Sequence, residues 1–238
     1  MQEKETTPTG SPVTFSGAII RSYAEQGIVP PRIGIISLDS GNIRSVANAL
    51  SILGAEVREI RTPKESAGLN GAMIPGVGAF PAAMRNLKRN GLDKALAELA
   101  RQGLPLFGIC LGMQLLTNSS DEFEPTPGLG LVPGQTRTMK AAQLPLPHVG
   151  WNRIRIAQGV PMYSGIPDNT HFYFDHSYAV SCDRTVISAR ADYGGSFVAS
   201  VCSSNIWGTQ FHPEKSQLWG LKLLRNFLDF TIDARGAC

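Results

Sequence analysis

The stretch Leu104-Pro-Leu-Phe-Gly-Ile-Cys110-Leu-Gly-Met-Gln114 sets the architecture of this chain. The apolar run over residues 104–109 is typical of a buried strand, and the pattern over residues 111–118 predicts a helix. Between them, Gly108-Ile-Cys110-Leu-Gly112 matches a sharp strand-to-helix turn with a nucleophile at its centre. Such a turn indicates an α/β domain whose reactive side chain sits at the carboxyl end of a strand.

The same alternation of strand and helix continues on both sides of this turn. Upstream, the apolar pattern predicts strands over residues 33–37, 57–60 and 71–75, and helices over residues 43–53, 81–90 and 92–101. Downstream, it predicts strands over residues 151–156, 171–180, 186–190, 197–202 and 206–211, and a closing helix over residues 218–230. We therefore predict one three-layer α/β domain over residues 32–238, with a mostly parallel central sheet and an antiparallel extension.

Residues 1–31 differ from the rest of the chain. The first twelve residues are polar and rich in Thr, Pro, Gly and Glu, and Pro30-Pro31 ends a short helix predicted over residues 16–26. We interpret this segment as a flexible or loosely docked extension. A mis-assigned start codon is the alternative interpretation.

Composition excludes several classes of protein. The chain has 238 residues, of which 42% are hydrophobic and 17% charged, which is ordinary for a globular protein and argues against a disordered or coiled-coil one. Lys and Arg total 22 against 19 for Asp and Glu, without a basic stripe, so no nucleic-acid partner is predicted. No apolar run approaches the roughly 18 residues of a membrane helix, so no membrane partner is predicted either.

The four cysteines have no CxxC spacing, which favours a reducing, cytoplasmic location. We expect Cys182, Cys202 and Cys238 to be thiols in the core or at the surface. No His, Cys, Asp or Glu cluster has zinc spacing, and the glycines of residues 75–78 lack the lysine of a phosphate loop. We therefore predict neither a metal nor a cofactor.

Cys110 has the surroundings of a nucleophile. The flanking glycines permit close packing around the turn, and the N-terminal end of the following helix favours a thiolate. On this short pattern alone, a buried structural cysteine between two loop glycines is an equally good interpretation.

A nucleophilic cysteine needs a base, which His212 can supply. In Phe211-His-Pro-Glu214 the proline fixes the backbone, and Glu214 can accept a hydrogen bond from the far imidazole nitrogen. Taken alone, this segment is better explained as a surface turn after a strand. Its combination with the cysteine turn is much rarer than either part, and it predicts a Cys110–His212–Glu214 triad.

Acyl chemistry at Cys110 also needs donors for an oxyanion. Pro75-Gly-Val-Gly78 ends a predicted strand, and its glycines let a peptide plane turn at low steric cost. The N–H groups of Val77 or Gly78, together with that of Leu111, are the natural donors. Without Cys110, a plain strand-to-helix turn explains these glycines equally well.

At this point the chain resembles the class I glutamine amidotransferases. The segments that carry the resemblance are Pro75-Gly-Val-Gly-Ala-Phe80, Gly108-Ile-Cys-Leu-Gly-Met-Gln114 and Phe211-His-Pro-Glu-Lys-Ser216. Other segments are similar to the glutaminase subunits of imidazole glycerol phosphate synthase: Gly41-Asn42, Pro147-His-Val-Gly-Trp-Asn152 and Tyr173-Phe-Asp-His-Ser-Tyr178. The resemblance runs from about Arg32 to Phe230 and implies a flavodoxin-like fold.

The resemblance implies a role for each matching residue. Cys110 would take the γ-glutamyl group, His212 would act as base and then as acid, and Glu214 would orient His212. Val77 and Gly78 would form an oxyanion strand that needs a backbone rearrangement. The implied glutamine pocket consists of Gln114, Glu122, His176, Ser177 and Tyr178, with Glu122 facing the α-amino group. Asn42 and Trp151 would lie near the partner, and His148 would shape that interface.

Two positions depart from the family pattern. The loop Leu38-Asp-Ser-Gly-Asn42 replaces an aromatic-glycine version, and Asp175 stands where an apolar residue is usual. For Asp175 we weigh two outcomes: the carboxylate is exposed, or it biases His176 towards its protonated form.

The activity implied by the resemblance is glutamine hydrolysis through a Cys110 thioester. The ammonia would pass to a (β/α)8-barrel cyclase, in a heterodimer that makes imidazole glycerol phosphate in histidine biosynthesis. Four alternatives remain open: a paralogous subunit for surface-sugar amidination, the glutaminase of pyridoxal phosphate synthase, a partner-independent cysteine hydrolase of similar fold, and a regulatory module with a dead site.

Overall fold

The computed structural model describes residues 13–15, 18–20, 23–38 and 43–233. Its strands are β1 (Val13–Phe15), β2 (Ala18–Ile20), β3 (Arg32–Ile36), β4 (Glu56–Ile60), β5 (Gly71–Gly76), β6 (Leu106–Cys110), β7 (Thr117–Ser120), β8 (Thr126–Pro127), β9 (Val132–Thr138), β10 (His148–Arg153), β11 (Arg155–Ile156), β12 (His171–His176), β13 (Tyr178–Cys182), β14 (Ile187–Asp192), β15 (Ser196–Ser203) and β16 (Ile206–Thr209). Its α-helices are α1 (Ile43–Ile52), α2 (Phe80–Arg89), α3 (Leu92–Arg101), α4 (Leu111–Leu115) and α5 (Gln217–Asp233).

The central sheet has eight strands in the order β11-β14-β15-β16-β6-β5-β3-β4. The five strands from β16 to β4 run parallel, and β11, β14 and β15 extend the sheet in antiparallel pairing. The predicted parallel core with an antiparallel extension is therefore confirmed. Strand β6, which ends at Cys110, lies inside the parallel part.

Helices cover both faces of this sheet and make the fold three-layered. Side chains alternate across β6, so Phe107 and Ile109 join the cluster packed with α1 and α5. Leu106, on the opposite face, joins the cluster packed with α2, α3 and α4. The sheet is buried on both sides, which explains the continuous apolar runs of its parallel strands.

A second, four-stranded sheet in the order β13-β9-β7-β8 stands beside the central one. The sequence did not predict β7, β8 or β9, because their residues are mostly polar. The helix predicted over residues 111–118 is wrong in its second half: α4 ends at Leu115, where Thr117 Oγ1 donates to the Gln114 carbonyl at 2.8 Å. Strands β10 and β12 form a separate antiparallel pair.

The segment before the domain contacts the last helix. Strands β1 and β2 pair antiparallel, and a short 3-10 turn follows at Ala24–Gln26, so the helix predicted over residues 16–26 is wrong for residues 18–20, whereas residues 16, 17, 21 and 22 lie outside the described residues. The Tyr23 side chain is 1% exposed, and its hydroxyl donates to Asp229 Oδ1 at 2.7 Å. The Arg225 guanidinium lies 4.0 Å from the centre of the Tyr23 ring.

Two further expectations concern cysteines and membranes. Cys110 and Cys182 are free thiols, whereas Cys202 is disulfide-bonded, so the expectation of a thiol at Cys202 is wrong. Across the part of the chain that the structure describes, no helix is long and apolar enough to cross a membrane.

Candidate active site

Cys110 occupies a strained turn that its neighbours make possible. Its backbone is at φ 54° and ψ −110°, a conformation that non-glycine residues rarely adopt. A Cβ at Gly112 would lie 1.6 Å from the Ile74 carbonyl oxygen, and one at Gly108 would lie 2.6 Å from the Gly112 backbone. Both glycines are therefore required for helix α4 to turn back against β5 and β6.

The sheet register brings the predicted site segments to Cys110 from both sides. On one side Gly76 of β5 pairs with Cys110, so Val77 and Gly78 follow directly beside it. On the other side Thr209 of β16 pairs with Ile109, so the chain that leads to His212 leaves the sheet next to the cysteine. Parallel strands end at the same edge, which is why three distant segments meet here.

His212 and Glu214 form a buried pair beside this edge. His212 Nδ1 lies 2.8 Å from Glu214 Oε1, and both side chains are 2% exposed. The carboxylate therefore accepts from Nδ1–H and fixes the tautomer that leaves Nε2 free to take a proton. Among the described residues, His212 Nε2 and Glu214 Oε2 have no hydrogen-bond partner.

The turn that carries His212 is held by its neighbours. Ser216 Oγ donates to the His212 carbonyl at 2.6 Å and accepts from the Tyr173 N–H at 3.0 Å. The His212 N–H in turn donates to the Tyr173 carbonyl at 2.9 Å. A Cβ at Gly220 of α5 would lie 1.9 Å from the Pro213 carbonyl oxygen, so α5 packs directly against the turn.

The Cys110 sulfur has hydrogen-bond contacts with two groups. Its thiol donates to the Asp175 carbonyl at 3.8 Å, and Gln210 Nε2 donates to Sγ at 3.7 Å. In this arrangement the thiol hydrogen faces the Asp175 carbonyl and not His212. The apolar pattern of residues 206–211 predicts one strand and gives Gln210 no role; a lone glutamine in that run is the available signal.

The surroundings of His212 favour its protonated form. Burial alone lowers the pKa of His212, but hydrogen bonds and charges from Cys110 and Glu214 together outweigh burial and raise it. Because Nε2 has no partner among the described residues, the contribution of Glu214 is the one that the resting geometry supports directly.

A cavity of about 250 Å³ opens above Cys110. The residues that line it are Val77, Gly78, Cys110, Leu111, Gln114, Glu122, Pro147, Asp175, His176, Ser177 and Tyr178. All the residues predicted for the oxyanion and glutamine sites thus face one space. Gly78 has φ 99°, a left-handed conformation that suits glycine, immediately beside the cysteine.

Comparison with known proteins identifies the family of the chain. Residues 36–230 match the family model described as glutamine amidotransferase class-I. The chain is 44% identical over 196 residues to the imidazole glycerol phosphate synthase subunit HisH of Desulfitobacterium hafniense (strain Y51), covering 82% of this chain and 92% of that one. The chain belongs to the class I glutamine amidotransferases, in the HisH family.

Other relatives of this amidotransferase carry the same name. The HisH subunit of Moorella thermoacetica is 43% identical over 206 residues, covering 86% of this chain and 98% of that one. The HisH subunit of Methanosarcina barkeri is 44% identical over 200 residues, covering 83% and 98%. These names favour the synthase subunit over the four alternatives raised by the sequence.

Solved structures agree with the amidotransferase fold. A structure described as a glutamine amidotransferase aligns with TM-score 0.68 at 22% identity, covering 84% of this chain and 98% of that one. The structure of PurLQS from Thermotoga maritima aligns with TM-score 0.69 at 20% identity, covering 85% and 99%. At these identities the likeness concerns the fold alone.

His176 lines the amidotransferase pocket and is hydrogen-bonded to a second buried histidine, His148. His176 Nδ1 lies 2.8 Å from the Tyr178 carbonyl, and His148 Nδ1 lies 3.0 Å from His176 Nε2. Since a carbonyl only accepts, His176 donates to Tyr178 and His148 donates to His176. His148 Nε2 then accepts from Asn152 Nδ2 at 3.3 Å. Burial lowers the pKa of His148 to about 4 and that of His176 to about 3, so both are neutral.

The remaining predicted residues have mixed outcomes. Asp175 is exposed, and the pKa of His176 is lowered, so the exposed alternative for Asp175 is the correct one. Glu122 Oε2 accepts from the Phe80 N–H at 2.7 Å, and burial raises the pKa of Glu122. Trp151 is 48% exposed on β10. Asn42 lies outside the described residues.

Proposed function

We propose that this chain is the glutaminase subunit of an imidazole glycerol phosphate synthase, with its amidotransferase domain over residues 32–238. It hydrolyses glutamine at Cys110 and delivers the ammonia to a (β/α)8-barrel cyclase in the cytoplasm. The observation that carries the proposal is the strained Cys110 turn facing an amino-acid-sized cavity, with the buried His212–Glu214 pair beside it.

The first half of the reaction forms a thioester. His212 Nε2 takes the thiol proton, and the Cys110 sulfur attacks the carboxamide carbon of glutamine. The oxyanion accepts hydrogen bonds from the Leu111 N–H and from Val77 or Gly78. The C–N bond then breaks as His212 returns its proton to the leaving nitrogen, which departs as ammonia. Glu214 stabilises the imidazolium throughout.

The second half releases glutamate. His212 removes a proton from a water molecule as the oxygen attacks the thioester carbon. The C–S bond breaks, and the Cys110 thiol regains its proton. One glutamine and one water thus give one glutamate and one ammonia, and neither a metal nor a cofactor enters the balance.

The pocket suits a small zwitterionic substrate. Its volume of about 250 Å³ lies below the range typical of drug-sized ligands, roughly 300–1,000 Å³, and matches a single amino acid. Glu122 supplies a carboxylate for the α-amino group, and Gln114, His176, Ser177 and Tyr178 form the remaining polar wall.

The partner surface lies on β10. Val149 and Trp151 are two residues apart on one face of this strand and are 55% and 48% exposed. Large apolar side chains exposed side by side are typical of an interface. Ammonia that is protonated in water is no longer a nucleophile, so direct transfer to a cyclase docked near this strand has a chemical reason.

Glutamate release from glutamine tests the proposal. The purified chain is assayed alone and then with a histidine-pathway cyclase and its nucleotide substrate, with Cys110→Ala as the blank. We expect weak activity alone, a strong rise with the liganded cyclase, and none in the variant. Absence of a rise with the cyclase would contradict the synthase assignment, and activity in Cys110→Ala would contradict the mechanism.

A further inference from the structure

Gln210 is a buried polar side chain that the mechanism above does not use. It directly follows β16, two residues before His212, and is 0% exposed. Its main-chain N–H donates to the Ala199 carbonyl at 2.8 Å, so this N–H does not need the side chain as a partner. The side-chain amide is therefore free to serve the site, and its nitrogen lies 3.7 Å from Cys110 Sγ.

The orientation of this amide is fixed by a second glutamine. Gln114 Nε2 donates to the Tyr178 carbonyl at 3.1 Å, which identifies that end of Gln114 as the NH₂ group. The same nitrogen lies 3.2 Å from Gln210 Oε1 and donates to it. A flipped Gln210 would set two NH₂ groups against each other. The oxygen of Gln210 therefore faces Gln114, and its nitrogen faces the sulfur.

We propose that Gln210 is a positioning residue for Cys110, whose oriented amide N–H holds the sulfur and stabilises it as the thiolate before attack. This inference rests on the proposed role of Cys110 as nucleophile. A donor to sulfur strengthens when the sulfur becomes negative, because a hydrogen bond to a charged group is about twice as strong as one between neutral groups.

The other contact of the sulfur acts in the opposite sense. The Asp175 carbonyl can accept only from the protonated thiol, so its 3.8 Å contact is lost on deprotonation. Gln210 donates in both states. The thiol therefore has both partners, whereas the thiolate keeps only the hydrogen bond from Gln210. The titratable groups around the sulfur that stay unchanged in the variants below are Glu122, Asp175, His176, Tyr178, His212 and Glu214.

Alkylation of Cys110 in the full chain tests this inference without glutamine. The rate of reaction with iodoacetamide is measured against pH, with mass spectrometry to separate Cys110 from the other three cysteines. Gln210→Met removes the donor at similar volume, and Gln210→Glu removes it and adds a negative charge. Gln135→Met, at an exposed glutamine, is the matched control.

We expect the half-maximal pH of alkylation to rise by about one pH unit in Gln210→Met, by more in Gln210→Glu, and not in Gln135→Met. The rate on the alkaline plateau should stay within about twofold. In Gln210→Glu, which keeps the acceptor for Gln114, kcat for glutamine should fall about tenfold or more with KM within about twofold. Wild-type midpoints in both variants would overturn the inference.

Two further measurements separate positioning from folding. If Gln210 has a purely structural role, the half-maximal pH of alkylation should change in proportion to the loss in melting temperature and should not depend on the charge added in Gln210→Glu. That result would also overturn the inference. Should the variants not fold, the side-chain amide signals of Gln210 are followed by NMR in the wild-type chain. They should move with Cys110 deprotonation and not in Cys110→Ser; signals that do not move would refute the inference. Glutaminase activity measured in Cys110→Ala tests the proposed role of Cys110 separately from the role of Gln210.

Discussion

Ser216 Oγ lies 2.6 Å from the His212 carbonyl oxygen and donates to it, while accepting from the Tyr173 N–H. One buried hydroxyl thus joins the turn that carries the proposed base to β12. The hydrogen bond explains why a serine belongs to the site although it touches neither the cysteine nor the cavity.

Replacement of this serine tests how far the base depends on it. Ser216→Ala leaves the Tyr173 N–H without its partner and removes one of two donors to the His212 carbonyl, which still accepts from the Lys215 N–H at 3.1 Å, so we expect the free energy of unfolding to fall by about 2 kcal/mol. We also expect kcat for glutamine to fall about tenfold, because His212 is no longer held. Denaturant unfolding and glutaminase assays measure both. Ser66→Ala, at an exposed hydroxyl 2.6 Å from the Pro63 carbonyl, should change neither; unchanged kcat in Ser216→Ala would contradict the argument.

The close approach at Gly112 predicts a severe effect of a single methyl group. In Gly112→Ala the added Cβ would meet the Ile74 carbonyl oxygen at 1.6 Å, and rigid backbone on both sides prevents a cheap adjustment. We expect a loss of more than about 3 kcal/mol in stability or failure to fold. Gly195→Ala is the control, since its added Cβ would lie 3.3 Å from the Lys140 carbonyl oxygen at an exposed site. Similar melting temperatures for both variants would refute this reading.

Glu122 should act on substrate affinity more than on turnover. Glu122→Gln keeps an acceptor for the Phe80 N–H but removes the charge proposed to face the α-amino group. We expect KM for glutamine to rise between about 10-fold and 100-fold, as for loss of a charged hydrogen bond, with kcat within about threefold. Steady-state kinetics decide this, and Glu124→Gln, an exposed partner of Arg85, is the control. A fall in kcat at constant KM would instead assign Glu122 to the chemical step.

The buried histidine pair predicts acid sensitivity of the fold. The pKa is lowered to about 4 for His148 and to about 3 for His176 in the folded chain. Below pH 6.5 these two histidines are therefore protonated in the unfolded chain while they are still neutral in the folded chain. Stability should therefore fall with decreasing pH below about 6.5, by at most about 1.4 kcal/mol per pH unit for each histidine. The raised pKa of His212 contributes in the opposite direction, as stability present below pH 6.5 and lost as the pH rises above it.

Denaturant unfolding between pH 6.5 and 5 measures this slope. His148→Gln keeps a donor for His176 but removes one titrating group, and its slope should be smaller by about 1 kcal/mol per pH unit. Gln135→Met, at an exposed glutamine that does not titrate, should leave the slope unchanged. An equal slope in wild type and His148→Gln would show that the pair does not resist protonation.

Local constraints made much of the fold and site predictable from the sequence. The turn at Cys110 needs glycine at two fixed positions, and the proline of residues 211–214 fixes the spacing of His212 and Glu214. The parallel strands are continuous apolar runs because both of their faces are buried. Each of these signals is complete within a few residues, so no knowledge of distant contacts was needed.

What escaped prediction depends on contacts between distant segments. Gln210 matters because Gln114, from another element, orients its amide towards the sulfur. Strand β9 carries Pro133 and Gly134 and is mostly polar, so its pairing with β7 and β13 left no periodic trace. The prediction of a thiol at Cys202 was wrong because the spacing of cysteines in the sequence does not reveal which of them form a disulfide.

The reversal of strand direction between β15 and β16 determines where new chain termini or an inserted domain can be placed. Because β15 runs antiparallel to β16, the hairpin between Ser203 and Ile206 lies at the opposite edge of the sheet from Cys110. Catalytic and substrate-facing groups gather at one edge, and the chain passes this other edge without contributing to them. New termini or an inserted domain next to Ser204 would lie away from the reaction chamber, but they must spare Asn205, whose side chain donates to the Ala100 and Leu104 carbonyls and whose carbonyl accepts from the Leu106 N–H.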